Sequence, residues 1–319
     1  MEDFGIKLRP RDGSLRLDTA KKVTCGEGGK FWYRLSTFRP DAGGAFIVGR
    51  YGSYKTGESE KVIVDWTPLK AAERERMQRE REAKNERDRI ERARIEAEAA
   101  MTARELWAIG KAEGHSPYLE RKGVSGESCK YMPDGSILIP LIRYDKPRSR
   151  ALQGVQRVWR NGRKTFTKDC AKAGCAVRLG EVDMHDDAQI IMFAEGYATG
   201  LSVRMATVHQ VPLYVALDAY NLGLVVEIVH GLYPDHQLLI CADDDWKTIH
   251  PPNPGRNFAK ACAKRVPGCH YVYPVFPPGV ARDDGDTDFN DLHRLCGLPA
   301  VTRQITGVLD MVRRRPNGR

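Results

Sequence analysis

The chain has 319 residues, of which 41% are hydrophobic, so it is long enough for two or three domains with a substantial core. Its formal net charge of +9 indicates a polyanionic partner, and its eight cysteines include no CxxC pair, which argues against a zinc ribbon and a secreted disulfide framework. The N-terminus lacks a signal-peptide core and no apolar run approaches the ~20 residues of a membrane span, so we expect a soluble, cytoplasmic protein without a membrane partner.

Residues 1–66 have the pattern of a small β-rich module. Two strand-like runs, Phe31–Leu35 and Ala45–Val48, are separated by glycine and proline. The segment Gly49–Thr56 resembles a phosphate-binding Walker A loop, but Tyr54 stands where that loop needs a glycine, and no helix-forming segment follows. We therefore interpret the segment as a turn between strands.

Residues 67–101 differ sharply in composition and predict a charged helical spacer. Helix-forming residues with almost no apolar side chains run to Glu98, and opposite charges lie four residues apart in the stabilising order, as in Glu75–Arg79 and Glu80–Lys84. No apolar heptad is sustained, which disfavours a coiled coil. We expect a solvated helix between two parts of the chain, and its arginines leave contact with nucleic acid open.

Residues 102–187 predict a small α+β subdomain. Thr102 is placed to cap a helix that runs to about Glu113, and a second short helix covers residues 118–124. The Asn161-Gly162 pair predicts a tight hairpin turn within an antiparallel meander. The strands of this predicted meander are 137–144, 152–160 and 164–168.

The predicted meander is strongly basic and carries aromatic residues between its charges. Such a face combines attraction to a phosphate backbone with base stacking, as binding to a single-stranded template requires. The alternative is a solvated basic surface in which Trp159 and Phe166 are core residues. The residues that we expect to contact nucleic acid include Arg143, Arg157, Lys164, Lys168 and Trp159.

Residues 188–297 alternate strand and helix patterns, which predicts a parallel α/β domain. The strand patterns cover 190–194, 211–217, 237–242 and 270–275, and the helices lie near 198–207, 221–231 and 254–265. The last segment, 298–319, ends in consecutive arginines and predicts a basic, frayed tail.

Acidic residues follow the first three of these strands. Glu195 follows the first, Asp218 the second, and Asp243 and Asp245 the third. The carboxyl ends of parallel strands share one edge of a sheet, so these carboxylates are expected to meet in one crevice. Clustered carboxylates repel one another unless a cation lies among them, and Mg²⁺ binds through carboxylates, water and substrate phosphates. The sequence therefore predicts a metal site for phosphodiester chemistry.

Several motifs occur in order on these elements. Glu195-Gly-Tyr-Ala-Thr-Gly200 follows the first strand and Asp243-Asp-Asp245 the third, while Val215–Leu222 and Asp288–Leu292 contain further acids. This set resembles the Toprim domain and the catalytic core of bacterial primases, and its EGYAT form resembles primases of plasmids, phages and satellite phages. The resemblance extends over residues 102–297, where the basic meander is similar to the N-terminal subdomain of that core.

The resemblance implies an α/β Toprim domain, preceded by a small basic α+β subdomain, with a site for Mg²⁺ or Mn²⁺. It implies that Glu195, Asp243 and Asp245 are catalytic and hold metal, with Glu195 either completing the metal shell or accepting the proton of an attacking 3′-hydroxyl. Asp218 and Asp288 are further candidate ligands, or else capping or salt-bridge residues. Asp244 is expected to point away and to be structural or a peripheral contact. Nucleotide or nascent primer would lie against Gly196, Arg157, Lys164 and Lys168.

The chain departs from that family in two respects. Residues 1–66 contain no four-ligand zinc set, since Cys25 stands alone, and there is no P-loop for a helicase. The choice of initiation site must then come from the β-rich module or from a partner, or not occur. A replicative helicase would act in trans.

The resemblance thus implies a DNA primase of a mobile element, which condenses ribonucleoside triphosphates into short RNA primers on single-stranded DNA. One alternative keeps the metal chemistry but reverses it, as a Toprim nuclease. The other alternative is a catalytically inactive nucleic-acid-binding adaptor with a relict site.

Overall fold

The computed structural model describes residues 1, 4, 6–7, 13–19, 21–39, 44–54, 57–63, 71–249 and 252–314. The chain divides into two compact units, Met1–Ala93 and Arg94–Arg319. The predicted boundary between residues 66 and 67, and the Lys55-Thr56 end of the Walker-like segment, lie outside the described residues.

The first unit contains a four-stranded antiparallel sheet in the order β1-β2-β3-β4. Its strands are β1 (Val23–Cys25), β2 (Phe31–Phe38), β3 (Phe46–Ser53) and β4 (Ser59–Lys61). Alternate residues of a strand point to opposite faces of a sheet. One face packs into a small core that includes Cys25, Tyr33, Leu35 and Ile6. The other face of this sheet therefore lies on the outside of that core.

Helix α1 (Ala71–Ile109) is continuous across the predicted boundary between residues 101 and 102. The prediction that Thr102 caps a new helix is wrong, because its hydroxyl donates to the carbonyl of Glu98 at 3.2 Å within α1. A threonine hydroxyl can bond either to a free N–H at a helix start or to the carbonyl four residues back, so residue type alone does not separate the two cases. Near the end of α1, Ala103 is buried and packs with Leu138.

The second unit continues with α2 (Pro117–Lys122) and a second antiparallel sheet, in the order β5-β6-β7-β8. Its strands are β5 (Lys130–Tyr131), β6 (Ile137–Ile142), β7 (Leu152–Val158) and β8 (Lys164–Phe166). The last three strands begin where the sequence predicts and end two residues earlier. Gly162, with φ 89°, lies in the turn between β7 and β8, where a side chain would be strained.

A third sheet of five strands follows, in the order β13-β12-β10-β11-β9. Its strands are β9 (Val177–Leu179), β10 (Ile191–Ala194), β11 (Leu213–Val215), β12 (Leu238–Cys241) and β13 (Cys269–Val272). Its helices are α3 (Tyr197–Ala206), α4 (Ala219–Leu232) and α5 (Pro254–Arg265). The strands β10, β11, β12 and β13 run parallel to one another, but the edge strand β9 is antiparallel to β11. The expectation of a wholly parallel sheet is therefore corrected: its edge strand comes from before residue 188 and is too short to show an alternating pattern.

Two further helices complete the second unit, α6 (Phe289–Cys296) and α7 (Leu298–Arg313). The predicted tail from residue 298 is in fact a packed helix as far as Arg313, because Val301, Ile305, Leu309 and Val312 are buried. Helices α3, α6 and α7 share one apolar core with the third sheet, and α4 and α5 share another. Within the described ranges, no helix combines the length and apolar character needed to cross a membrane.

Candidate active site

The register of the third sheet brings its acidic residues to one edge. Ala194, the last residue of β10, lies opposite Val215 at the end of β11 and Cys241 at the end of β12. Each of these strands is followed within three residues by an acid: Glu195, Asp218 and Asp243. Ala216 and Leu217 extend the backbone pairing towards Ala194 and Glu195, since their N–H groups donate to those carbonyls at 2.9 Å each. The three turns are thus held side by side.

Glu195 is mostly buried and is surrounded by other carboxylates. Burial, together with the negative charges of Asp245, Asp218 and Asp288, raises the pKa of Glu195 to about 7, although the charge of Lys164 lowers it. These influences place acids from three turns, and one lysine of β8, in the electrostatic neighbourhood of a single side chain. The charge of Lys164, on the basic second sheet, therefore acts on Glu195 at the acidic edge of the third sheet.

Asp243 is partly buried within this cluster. Burial raises its pKa well above the usual range, and Asp288, Glu195 and Asp245 raise it further. Its Oδ1 atom is buried and has no hydrogen-bond partner among the described residues. A buried carboxylate oxygen without a donor, among other acids, is costly unless a cation neutralises it.

The oxygen donors present suit Mg²⁺ or Mn²⁺ chemically. Both are hard cations, and Mg²⁺ keeps several waters while taking only one or two protein carboxylates plus substrate phosphates. Among the residues that the structure describes, no three acidic, histidine or cysteine side chains form a complete ligand set. The donor set at Asp243 and Asp245 fits a metal that is shared with substrate phosphates, rather than one enclosed by protein.

Asp245 is oriented by the start of α5, a feature that sequence reasoning missed. The N–H of Gly255 donates to Asp245 Oδ2 at 2.8 Å, and the N–H of Asp245 donates to Asn253 Oδ1 at 3.1 Å. A Cβ on Gly255 would lie 2.6 Å from the carbonyl oxygen of Asp243, so only glycine permits this approach. The sequence signal is Asn253-Pro-Gly255, which by pattern alone predicts only the start of a helix.

Asp244 has the structural role that we expected. It is almost fully buried, forms an ion pair with Arg256, whose Nε lies 2.8 Å from Asp244 Oδ1, and accepts a hydrogen bond from Asn253 Nδ2 at 2.6 Å. Arg282 Nη2 lies 3.4 Å from its other oxygen. These partners satisfy the carboxylate and anchor the loop that carries Asp243 and Asp245.

The two further candidate ligands both act as helix caps. Asp218 Oδ1 accepts from the N–H of Tyr220 at the start of α4, and its Oδ2 pairs with Lys172 at 2.5 Å. Asp288 caps α6 in a reciprocal capping box, and its Oδ2 accepts from the Thr199 hydroxyl at 2.7 Å. Both residues still contribute negative charge at Glu195.

The predicted nucleic-acid contacts fall into two groups. Arg143 pairs with Asp145, and Arg157 pairs with Asp134 at 2.6 Å and lies 4.0 Å over the Trp159 ring. By contrast, Lys164 and Lys168 are exposed, and the described part of the chain provides neither with an ion-pair partner. Lys164 and Lys168 are therefore cations that are available for binding, whereas Arg157 already covers the Trp159 ring.

Gly196 lies at the start of α3, between Glu195 and the helix. A Cβ there would lie 2.8 Å from the Thr199 hydroxyl oxygen. Thr199 in turn bonds to Asp288, so a side chain at residue 196 would disturb that contact. The local packing accounts for a glycine at this position.

Comparisons with known proteins agree with this geometry. Residues 190–298 match the family model described as the Toprim domain. Two curated relatives, both DNA primase TraC of Escherichia coli, are 29% and 31% identical over 235 residues, which is 72% and 73% of this chain. The chain spans only 16% and 22% of the length of these relatives.

Two solved structures were also compared. The primase fragment of the bacteriophage T7 primase-helicase protein has a TM-score of 0.44 at 12% identity, covering 62% of this chain and 77% of that chain. The Aquifex aeolicus primase, with its zinc-binding and RNA polymerase domains, has a TM-score of 0.43 at 12% identity, covering 90% of this chain and 80% of that chain.

Residues 190–298 therefore form a Toprim domain, an α/β domain whose acidic residues follow successive strands. The resemblance to Toprim-type DNA primases, predicted from the motifs, is confirmed by the relation to DNA primase TraC.

Proposed function

We propose that this chain is a DNA primase that joins ribonucleoside triphosphates into short RNA primers on single-stranded DNA. The observation that carries the proposal is the proximity of Lys164, on an exposed basic strand, to the buried carboxylates around Glu195. A polymerising site needs both features, because it must hold polyanionic substrates beside the acids that bind metal and manage protons. The sequence identity of 29% and 31% to the two DNA primase TraC relatives supports the same activity.

In this proposal each side chain has a separate task. The 3′-oxygen of the primer forms a bond to the α-phosphorus of the incoming nucleotide, and the bond from that phosphorus to the departing pyrophosphate breaks. Glu195 accepts the proton of the 3′-hydroxyl, because a pKa of about 7 lies near the working pH of a general base. Lys164 and Lys168 attract the phosphates, and Gly255 holds Asp245 in place.

Asp243 and Asp245 would hold Mg²⁺ or Mn²⁺. A bound ion of this kind would supply Lewis-acid stabilisation of the charge that develops on the phosphate oxygens. Asp218 and Asp288 serve chiefly as helix caps that keep the turns in position and add negative charge to the site.

The remaining assignments complete the proposal. The β-rich module and the spacer part of α1, as far as Ala93, belong to the unit Met1–Ala93, and the basic subdomain and the catalytic domain, to which α7 contributes packing, belong to the unit Arg94–Arg319. The primers serve replication of a plasmid, phage or integrated element in the cytoplasm, and a replicative helicase is supplied in trans. The relation to DNA primase TraC supports the link to a mobile element.

Substitution of Asp245 tests the proposal directly. Asp245→Asn should reduce incorporation of labelled ribonucleotides on single-stranded DNA by more than about 100-fold, since loss of an outer partner of a metal ligand alone costs 10–100-fold. Template binding should stay unchanged, because the lysines of the second sheet are intact. Incorporation and DNA binding are measured on the same preparations.

Asp187→Asn is the matched control, because it makes the same change at an exposed position in the same compact unit. It should leave incorporation intact. Full incorporation by Asp245→Asn would remove the acidic edge from the reaction. If the unmodified chain degrades the strand without incorporating ribonucleotides, and Asp245→Asn does not degrade it, the chain is a nuclease instead.

A further inference from the structure

The sheet of the first unit has one apolar face and one cationic face. On β2, Tyr33 and Leu35 point into the small core, so Trp32, Arg34 and Ser36 lie on the opposite face. Neither the Toprim domain nor its substrates account for the charges on this second face, which belongs to the unit Met1–Ala93.

Cations on this face stand in a row across adjacent strands. Arg34 of β2 lies directly opposite Arg50 of β3, and Arg50 lies directly opposite Lys61 of β4. Lys22 precedes β1 by one residue and lies over the Trp32 ring, 3.6 Å from its centroid, on the same face. Like charges directly opposite in a sheet are destabilising, so the row costs folding stability. We call Lys22, Arg34, Arg50 and Lys61 the cation row.

Helix α1 adds further charges to the same face. Asp88 pairs with Arg34, and Lys84 donates to the Ser36 hydroxyl at 3.0 Å and lies 4.0 Å from Asp18. Arg92, one turn beyond Asp88, adds positive charge. Burial lowers the pKa of Lys22, and the charges of Arg92 and Arg50 lower it further. The pKa of Arg34 is also lowered, by burial and by Arg92. Among the described residues, Asp88 paired with Arg34 and Asp18 near Lys84 do not balance these cations.

We propose that the cation row, together with Arg92, binds the phosphodiester backbone of a nucleic acid, so that the first unit carries a nucleic-acid site in addition to the Toprim domain. An anion in contact with several of these cations would remove the repulsion that the register imposes. The choice of nucleic acid as the anion rests on the proposed function, whereas the site itself rests on the register and the contacts.

The spacing of the row favours a regular polyanion. Neighbouring strands lie about 4.8 Å apart, so the four residues of the row span roughly 14 Å. A stacked strand carries one phosphate per about 3.4 Å, so roughly four phosphates fit along this span. Lys22, Arg50 and Lys61 are exposed and accessible to such a ligand. The backbone holds the cations in register, which suits repeating charge better than base-specific contacts.

The test compares two double substitutions in the full chain. Arg50→Gln with Lys61→Gln removes half of the row. Arg79→Gln with Arg89→Gln removes the same charge from the same unit, at helix positions whose side chains are 75% and 77% exposed and pair with glutamates of α1. Binding of labelled single-stranded DNA is followed by anisotropy across a salt series, without nucleotides or divalent cations.

The row substitution should weaken binding about tenfold near 0.15 M salt and lower the slope of log affinity against log salt by about 1.4, because two phosphate contacts are lost. The control should change neither quantity to that extent. Because repulsion is relieved, the melting temperature of the row variant should equal or exceed that of the unmodified chain. That combination of weaker binding and undiminished stability distinguishes a binding role from a structural one.

Equal binding by both variants and the unmodified chain would overturn the proposal, as would equal losses in both variants. Poly-glutamate at matched charge is added as a competitor. If it displaces the DNA from the unmodified chain but not from the row variant, the row binds acidic protein, and the proposal is overturned. The same binding assay with a DNA duplex shows whether the row binds the phosphates of single-stranded or of double-stranded DNA. Because no synthesis is measured, loss of primase activity would leave this result unaffected.

Discussion

At the scale of single residues, Asp243 illustrates the cost in folding stability of the candidate metal site. Its Oδ1 atom is buried without a partner among the described residues, and the neighbouring acids raise its pKa well above the usual range. An unsatisfied buried polar atom costs about 1–3 kcal/mol of folding free energy. A divalent cation that binds the folded chain recovers this cost.

We therefore predict that metal stabilises the unmodified chain but not Asp243→Asn. At ten times its dissociation constant, a metal stabilises the folded state by about 1.4 kcal/mol, which in a domain of this size is roughly 3–6 °C in melting temperature. Asp243→Asn should melt at a higher temperature than the unmodified chain in EDTA, and should lose the Mg²⁺-dependent rise.

Differential scanning calorimetry with and without Mg²⁺ measures both effects, and Asp187→Asn serves as the control. An unchanged Mg²⁺-dependent rise in Asp243→Asn would exclude Asp243 from the metal site. A fall in its melting temperature in EDTA would show that the carboxylate stabilises the chain without metal.

The sequence was a good guide to which acids reach the site and a poor guide to their roles. Glu195, Asp218 and Asp288 follow strands or precede helices, and the structure gives all of them electrostatic proximity. An aspartate between a strand and a helix can cap the helix or hold a metal, and the pattern is the same in both cases. Gly255 was missed because its importance depends on the backbone of Asp243, ten or more residues away in the chain.

At the scale of elements, the α/β order was predictable because buried strands of the third sheet are apolar throughout and separated by helix-length segments. The antiparallel β9 and the helix α7 were not, for different reasons. A three-residue strand has too few residues to show a period. The segment of α7 was predicted as a tail from the basic residues at its end, although Val301, Ile305 and Leu309 have the helical spacing of a buried face.

One ion pair joins the loop after α2 to the end of α3, and it predicts a pH-dependent stability. Arg204 is almost fully buried and donates to Glu127 at 2.7 and 3.1 Å, with His209 also 3.2 Å from that carboxylate. Burial alone would raise the pKa of Glu127, but the hydrogen bonds and charges of Arg204 and His209 outweigh it, so the pKa lies below its usual value.

Glu127→Gln should destabilise the chain by about 2–3 kcal/mol at pH 7, because it leaves the buried Arg204 without a counter-ion. A lowered folded-state pKa contributes stability that is present above the unfolded value, near 4.3, and is lost as the pH falls through the folded value. The difference between the variant and the unmodified chain should therefore shrink between pH 5 and pH 3.

Urea unfolding from pH 7 to pH 3 measures this difference. Glu181→Gln is the control, since it removes an 86% exposed carboxylate that pairs with Arg178 and should have little effect at any pH. A difference for Glu127→Gln that stays constant down to pH 3 would show that its effect does not come from the ionised pair.

At the scale of the whole molecule, each of the two compact units contains one of the two proposed sites. The unit Arg94–Arg319 contains both the basic second sheet and the acidic edge of the third sheet, so it holds every residue of the candidate active site. The unit Met1–Ala93 contains the cation row. The predicted division at residue 102 would have cut α1 beyond Ala99 and Ala100, which are buried.

A fragment of residues 94–319 should therefore fold and incorporate ribonucleotides at saturating template, but bind single-stranded DNA more weakly than the full chain at 0.15 M salt. The loss of affinity should be at least the roughly tenfold loss caused by Arg50→Gln with Lys61→Gln, because the fragment lacks the whole row. A fragment of residues 102–319 should melt at a lower temperature, since it lacks the buried alanines of α1. Circular dichroism, anisotropy and primer synthesis on the three proteins measure these quantities. Template binding by 94–319 as tight as that of the full chain would mean that the first unit does not hold the template.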